Sequence, residues 1–375
     1  MRIVAVQTGL SPNSVLGGTI TDREFLTRVA DQGVEVHILV EDDGQPVIAH
    51  SNFVVHRWRR RLRKRWPYMG NADVALDLRR LLRTIGPVDW IRFNSPYAVG
   101  IGVAMGRCGH RVWGSYLHME DRPVWNFVDR RLPAHCDLIT CLSEDTRRDL
   151  VSRCPRADHD GNIVVPMGID GSRFEHTGGR AELRASLGVG DDEVLLLFVG
   201  TLIPRKGIAD LVAAWRALGS DAKARLLLIA KPIDAADEER VHALAACDSR
   251  VMHLPGVPYE QIPSYFGAAD VFFFPSHHEG YGIVVGEAMA AGLPVITTRA
   301  QGIREVIAEN ETALASDVGD VNGHVGNLKR VVNDAALRRQ LGEAGRRRIA
   351  LRFGWDGIMR RLMGALAAPR MVVRP

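Results

Sequence analysis

At 375 residues, 46% hydrophobic and 25% charged, the chain is too long for one ordinary core and reads as two globular domains. No apolar run reaches the roughly 18 to 20 residues that cross a bilayer, and "MRIVAVQTGL" lacks the basic and long apolar regions of a signal peptide, so spanning and secreted classes are not expected. The net charge is only +4, and 43 of the 48 basic residues are arginine, a bias that reads as coding preference rather than nucleic-acid binding and makes each of the five lysines unusual.

Short apolar runs alternate with longer amphipathic stretches from the first residue onward. "RIVAV", "VEVHILV", "NFVVHRW", "DWIRF", "RVWGSYL", "DLITCL" and "NIVVP" read as strands, with helices expected over 19–33, 71–85, 97–107 and 143–152. This alternation predicts a mostly parallel sheet covered on both faces. Cys108, Cys136, Cys141, Cys154 and Cys247 are odd in number and lack CxxC spacing, which reads as free thiols in a reducing compartment and gives a cytoplasmic address.

The pattern breaks at "PMGIDGSRFEHTGGR", rich in glycine and turn formers, and then restarts. "EVLLLFVG", "ARLLLIA", "VMHLP", "DVFFFP" and "LPVITT" are the strands of a second alternating half, and "FGWDGIMRRLMGALAAP" closes the chain as a helix. The division expected is a Rossmann-like domain over 1–168, a linker over 169–178, a second such domain over 179–352, and a helix and tail over 353–375.

The densest chemistry lies in "SHHEGYGIVVGEAMAAGLPVI", which follows the strand "DVFFFP" and sets Glu279 and Glu287 eight positions apart. Gly280 and Gly282 allow close backbone approach at a helix N-terminus, a place that favours phosphate. Glu279 would repel a phosphate and is better suited to accept hydrogen bonds from hydroxyls. Glu287, two helical turns on among Ile, Val, Ala and Met, suits a vicinal diol such as a ribose. Phosphate, sugar hydroxyls and ribose together describe a nucleotide sugar. The rival reading is a buried βαβ unit whose glutamates only cap or solvate a helix.

"PSHHEGYGIVVGEAMAAGLPVI" resembles the two-glutamate motif of glycosyltransferase family 4, the retaining nucleotide-sugar transferases of the GT-B fold. "FVGTLIPRKGIADLVAAW", "VVPMGIDGSRF", "DLITCLSEDTRRDL", "SYLHMED" and "SVLGGT" carry the likeness over most of the chain. It departs at Met167 and Thr201, where asparagine and arginine are usual, at "LLLIAKP", which lacks a Gly-x-Gly, and at Gln301 and Arg304.

The resemblance implies an α/β fold of two facing Rossmann-like domains with a deep cleft and a C-terminal helix crossing back to the first domain. It implies that Glu279 meets the donor sugar's hydroxyls and Glu287 the ribose, with Gly280, Tyr281, Gly282 and Ile283 beside them. Arg205 and Lys206 would stabilise the departing diphosphate, Gly17 and Gly18 would approach the phosphates, and His118 would sit near the donor sugar. A leaving phosphate oxygen would take the acceptor's proton. The expected partners are a nucleotide-sugar donor, UDP favoured, and a small-molecule, lipid or glycan acceptor, with no metal or other cofactor.

"HRWRRRLRKRWP" brings together Arg57, Arg59, Arg60, Arg61, Arg63, Lys64 and Arg65 with two tryptophans, in the half expected to hold the acceptor. An anionic acceptor or an anionic membrane surface would be drawn there, the bland reading being a solvated arginine-rich loop. "DHD" at Asp158 to Asp160 reads as a turn rather than a metal site, and "GIGVAMG" as helix packing rather than a dinucleotide fingerprint. The alternatives are a non-catalytic sugar- or nucleotide-binding protein and an epimerase or phosphorylase on the same fold. A nicotinamide dehydrogenase is weaker still, since no glycine fingerprint opens either half.

Overall fold

A computed structural model describes residues 1–7, 10–11, 17–59, 70–94, 97–116, 130–175 and 178–368. The chain divides into two compact units, Met1–Met167 with Ile358–Pro375, and Gly168–Gly357.

In the first unit the elements run β1 (Arg2–Gln7), α1 (Gly17–Asp31), β2 (Glu35–Glu41), β3 (Phe53–Trp58), α2 (Gly70–Thr84), β4 (Trp90–Asn94), α3 (Tyr97–Gly106), β5 (Arg111–Tyr116), β6 (Leu138–Cys141), α4 (Glu144–Arg153) and β7 (Asn162–Val164). The strands form one parallel sheet in the order β3-β2-β1-β4-β5-β6-β7. β1 is buried from Ile3 onward and apolar to Val6, as the centre of a parallel sheet requires, and β4 is buried throughout, its polar Arg92 and Asn94 included. β3 is an edge strand, and Val54 and Val55 are exposed on it. The sheet's order turns back between β1 and β4, where α/β sheets place ligands beyond the strand ends. Gly106, last residue of "GIGVAMG", would drive a Cβ to 2.9 Å from the Ala75 carbonyl of α2, so the run packs helices.

The second unit contains α5 (Arg180–Ser186), β8 (Val194–Leu202), α6 (Ile208–Leu218), β9 (Ala224–Pro232), α7 (Ala235–Cys247), β10 (Val251–Leu254), α8 (Ile262–Ala268), β11 (Val271–Phe274), α9 (Ile283–Ala290), β12 (Val295–Thr298), β13 (Ala313–Ser316), α10 (Val321–Asn333) and α11 (Ala335–Arg352). Its six strands are again parallel, in the order β10-β9-β8-β11-β12-β13. Phe198, Phe266, Phe272 and Phe274 stack through the core, with neighbouring ring centres 5.6 Å apart. The order turns back between β8 and β11, so the loops that leave these two strands emerge side by side.

The closing helix α12 (Trp355–Ala367) begins in the second unit and from Ile358 onward belongs to the first. There the Trp90 indole donates to the Leu366 carbonyl at 3.1 Å, and Arg111 lies 3.7 Å over the Trp90 ring. All five cysteines are free thiols, three of them buried.

Candidate donor site in the second unit

Two loops make this site. Ile203–Gly207 leaves β8, and Pro275–Gly282 leaves β11. They touch because Gly207 has no side chain: its φ is +69°, and a Cβ there would lie 1.9 Å from the Pro275 carbonyl oxygen. The contact is stitched by the His277 N–H, which donates to the Arg205 carbonyl at 2.8 Å. His277 also reaches Asp210, in the first turn of α6, at 2.7 Å.

At the centre is Glu279, with 9% of its side chain exposed. Lys206 Nζ lies 2.6 Å from its Oε1, and Arg205 Nη1 lies 3.3 Å from its Oε2. Ser276 Oγ is 2.7 Å from Glu279 Oε1, 2.9 Å from the Arg205 carbonyl and 3.3 Å from that of His278. All three are acceptors, so the hydroxyl's single proton serves one of them at a time. Burial alone would raise the Glu279 carboxyl, but Lys206 and Arg205 outweigh it and hold the group below the ordinary carboxylate range. Burial draws the Lys206 ammonium down, against the pull of Glu279. Two cations against one carboxylate leave an excess positive charge at the end of β8, and Arg205 is half exposed. Lys206 also lies 4.9 Å over the Phe274 ring.

The backbone of Glu279 is fixed from the far side. Its N–H donates to the Gln301 carbonyl at 3.1 Å, and Gly302, at φ +79°, would place a Cβ 2.3 Å from the Glu279 carbonyl oxygen. Gly282, at φ +67°, caps α9, whose opening N–H groups, beginning with Ile283, lack intrahelical partners by the geometry of any helix start. Tyr281 is buried against Phe353, and among the described residues its hydroxyl has no hydrogen-bond partner.

Glu287 sits on α9 and is likewise buried. Tyr259, from the 3-10 turn Tyr259–Gln261, donates to its Oε1 at 3.2 Å. Arg173, from the turn Gly171–Phe174, donates to the Tyr259 oxygen at 2.6 Å. Burial lifts the Glu287 carboxyl to about 7, against the lowering pull of Arg173 and Tyr259. Tyr259 belongs to no quoted motif, and Arg173 and Ser276 lie inside quoted stretches where nothing marks them; none of the three was expected from the sequence.

The remaining expected residues fall in the first unit. Gly17 and Gly18 open α1. Arg57 and Arg59 are exposed, and Asp42 lies 3.9 Å from the one and 2.8 Å from the other. His118 and the five basic residues Arg60, Arg61, Arg63, Lys64 and Arg65 lie outside the described residues. Asp158 and Asp160 lie in the turns before β7, Asp158 being 3.6 Å from Arg147. No helix among the described residues is long and apolar enough to cross a membrane.

Comparison with known proteins agrees with this anatomy. The family described as "Glycosyl transferases group 1" matches residues 179–348, and "Glycosyltransferase Family 4" matches 17–173. A D-inositol 3-phosphate glycosyltransferase of Geodermatophilus obscurus is 32% identical over 273 residues, 69% of this chain and 59% of that protein. A GDP-mannose-dependent α-(1-6)-phosphatidylinositol monomannoside mannosyltransferase of Mycobacterium tuberculosis is 30% identical over 265 residues, 68% of this chain and 66% of that one. The chain spans 59%, 56% and 48% of the length of three curated D-inositol 3-phosphate glycosyltransferases that it matches. Among solved structures, Anabaena HepE in complex with UDP and glucose has a TM-score of 0.78 at 17% identity, covering 98% of this chain and 99% of its own, a likeness of fold. The two parallel-sheet units are those of the GT-B class.

Proposed function

The chain belongs to glycosyltransferase family 4, and from that premise we propose that it is a retaining transferase moving a hexose from a nucleoside-diphosphate sugar to a hydroxyl acceptor. The observation that carries the proposal is the cluster of Arg205, Lys206 and Glu279 at the sheet's turning point, where the charge balance is positive. Cleaving a sugar–phosphate bond leaves negative charge on the diphosphate, and fixed cations and helix N–H groups aimed at it lower the barrier. Arg205, Lys206 and the start of α9 at Gly280, Gly282 and Ile283 take that part, with no metal required. Glu279, kept ionised by the same cations, accepts hydrogen bonds from the donor sugar. Glu287 accepts them from the ribose.

In the transfer, the bond between the anomeric carbon and the phosphate oxygen breaks and one to the acceptor oxygen forms on the same face. The acceptor's proton passes to the leaving phosphate oxygen. His118 is assigned to the donor sugar, and Gly17 and Gly18 to the phosphates.

For the acceptor we look to the first unit, where Gln7 and Asn94 end the neighbouring strands β1 and β4. Both are buried, and among the described residues Gln7 Nε2 and Asn94 Oδ1 have no hydrogen-bond partner. A donor and an acceptor left over at a sheet's turning point suit a hydroxyl. The basic run from Arg57 to Arg65 would draw an anionic acceptor or membrane surface to the same unit. UDP is the favoured nucleotide, because a solved protein of this fold holds UDP and glucose; a GDP-mannose-dependent relative makes guanine its rival.

A thermal-shift panel with UDP, GDP, ADP, TDP and NAD, repeated on Glu287→Ala, tests this reading. A ligand at about 100 times its dissociation constant adds roughly 2.7 kcal/mol to folding. The expected result is that one diphosphate stabilises the wild type and the variant less. No response to any nucleotide would return the non-catalytic binding protein to the front.

A further inference from the structure

Glu287 is held by a relay that no motif announces. The Tyr259 hydroxyl donates to Glu287 Oε1 at 3.2 Å and accepts from Arg173 Nη1 at 2.6 Å, while the Arg173 guanidinium lies 4.2 Å over the Tyr259 ring. Arg173 Nη2 reaches the Tyr259 carbonyl at 3.5 Å, so the arginine grips both ends of that residue. The three side chains come from three separate segments of the second unit: the turn after the domain boundary, the turn after β10, and α9. A tyrosine whose oxygen both receives from a cation and donates to a buried carboxylate is a fixed dipole pointing at that carboxylate.

We propose that Tyr259, held by Arg173, is the positioning residue for the nucleotide's ribose. It fixes the rotamer of Glu287, occupies one lone pair of Oε1, and with the arginine offsets part of the burial that disfavours the carboxylate form the diol needs. Four lone-pair sites on a carboxylate, less one for the phenol, leave room for two ribose hydroxyls. The inference rests on the assignment of Glu287 to the ribose. Among the described residues, Arg173 and Tyr259 are the groups that act on this carboxyl. β11 and β12 carry only Val, Phe, Ile and Thr, and from α11 Arg346 is engaged with the Ala290 and Ala291 carbonyls at the far end of α9. Asp170 caps the turn that holds Arg173, and Glu260 follows Tyr259 in the other.

The test uses the full chain and a donor whose phosphates do not titrate near neutrality: UDP-glucose, or GDP-mannose where guanine is the base selected. Kd is measured by calorimetry from pH 5.5 to 9 for wild type, Tyr259→Phe, Arg173→Gln and Glu287→Gln. Wild-type affinity should rise with pH as Glu287 ionises, with a midpoint near 7. Tyr259→Phe should move that midpoint up by about one pH unit, weakening binding about tenfold at pH 5.5, about fivefold at pH 7 and little at pH 9. Arg173→Gln should move it the same way, and Glu287→Gln should flatten the profile. A uniform loss at every pH in Tyr259→Phe, or an unmoved midpoint in both relay variants, overturns the proposal while a flat Glu287→Gln profile keeps the ribose assignment. Wild-type affinity in Glu287→Gln at every pH would overturn the assignment itself.

Discussion

Lys206 Nζ stands 2.6 Å from Glu279 Oε1, with only 11% and 9% of the two side chains exposed. A pair this buried is costly to break because the survivor keeps its charge without its partner. Lys206→Ala should destabilise the protein by about 3 kcal/mol, somewhat eased by Arg205. Replacing both residues with methionine should return stability to within about 1 kcal/mol of wild type, because no buried charge is left unpaired and Arg205, half exposed, keeps water and the His278 carbonyl. Neither variant should transfer sugar. Urea unfolding of both beside a turnover assay decides it; a single variant as stable as wild type would show that water already screens the pair.

Glu287 makes the opposite trade. Its folded carboxyl is raised from 4.5 to about 7 by burial, so the folded chain holds a proton that the unfolded chain has released across that interval. Stability from this group is therefore greatest below about pH 4.5 and falls as pH rises toward 7. Glu287→Gln should stabilise the unliganded protein by roughly 2 kcal/mol at pH 8, less at pH 5, while nucleotide binding weakens. Unfolding curves at the two pH values read this directly, and an equal effect at both would mean that the carboxyl is not held up.

Much of this was legible before any coordinates. "EVLLLFVG" and "DVFFFP" read as strands because both faces of a parallel sheet are buried, which removes polar residues altogether. Glu279 and Glu287 were singled out because one loop and helix fix their spacing, and Lys206 because its own loop, 73 residues earlier, carries the family resemblance. β13, "ALAS", was missed: three small residues and one leucine carry no β-branching. The part played by Tyr259 and Arg173 could not be read, although Arg173 lies inside "VVPMGIDGSRF". They meet Glu287 only after folding brings distant turns together. That Lys206 and Arg205 would turn onto Glu279 was equally hidden, since sequence separates loops that β8 and β11 set side by side.

The first unit carries its own buried ion pair. Arg92 on β4 donates to Asp22 on α1, the two are 1% and 2% exposed, and the guanidinium lies 4.8 Å over the Trp113 ring. Asp22→Ala should cost about 3 kcal/mol by leaving the arginine uncompensated. Gly17 and Gly18, assigned to the phosphates, open the same helix α1, so the nucleotide's Kd should also weaken at temperatures where the protein remains folded. Calorimetry of folding and binding on the same sample separates the two effects; an unchanged Kd would remove Gly17 and Gly18 from the phosphates.

Gly207 and Gly219 separate backbone strain from the contact between the loops. Gly207 is left-handed, at φ +69° and ψ 33°, where alanine costs about 1 kcal/mol, and Gly219, at φ +90° and ψ 163°, lies where alanine costs up to about 3 kcal/mol. Only at Gly207 does the added Cβ meet something, the Pro275 carbonyl at 1.9 Å, while nothing lies within 4 Å of one at Gly219. Gly207→Ala must therefore push the loop after β11 away from the loop after β8, pulling Glu279 from Lys206. It should weaken nucleotide binding about tenfold or more, where Gly219→Ala loses stability through strain alone and binds normally. Equal behaviour of the two variants would mean that the loops can separate without disturbing the site, and that the cluster of Arg205, Lys206 and Glu279 does not depend on their touching.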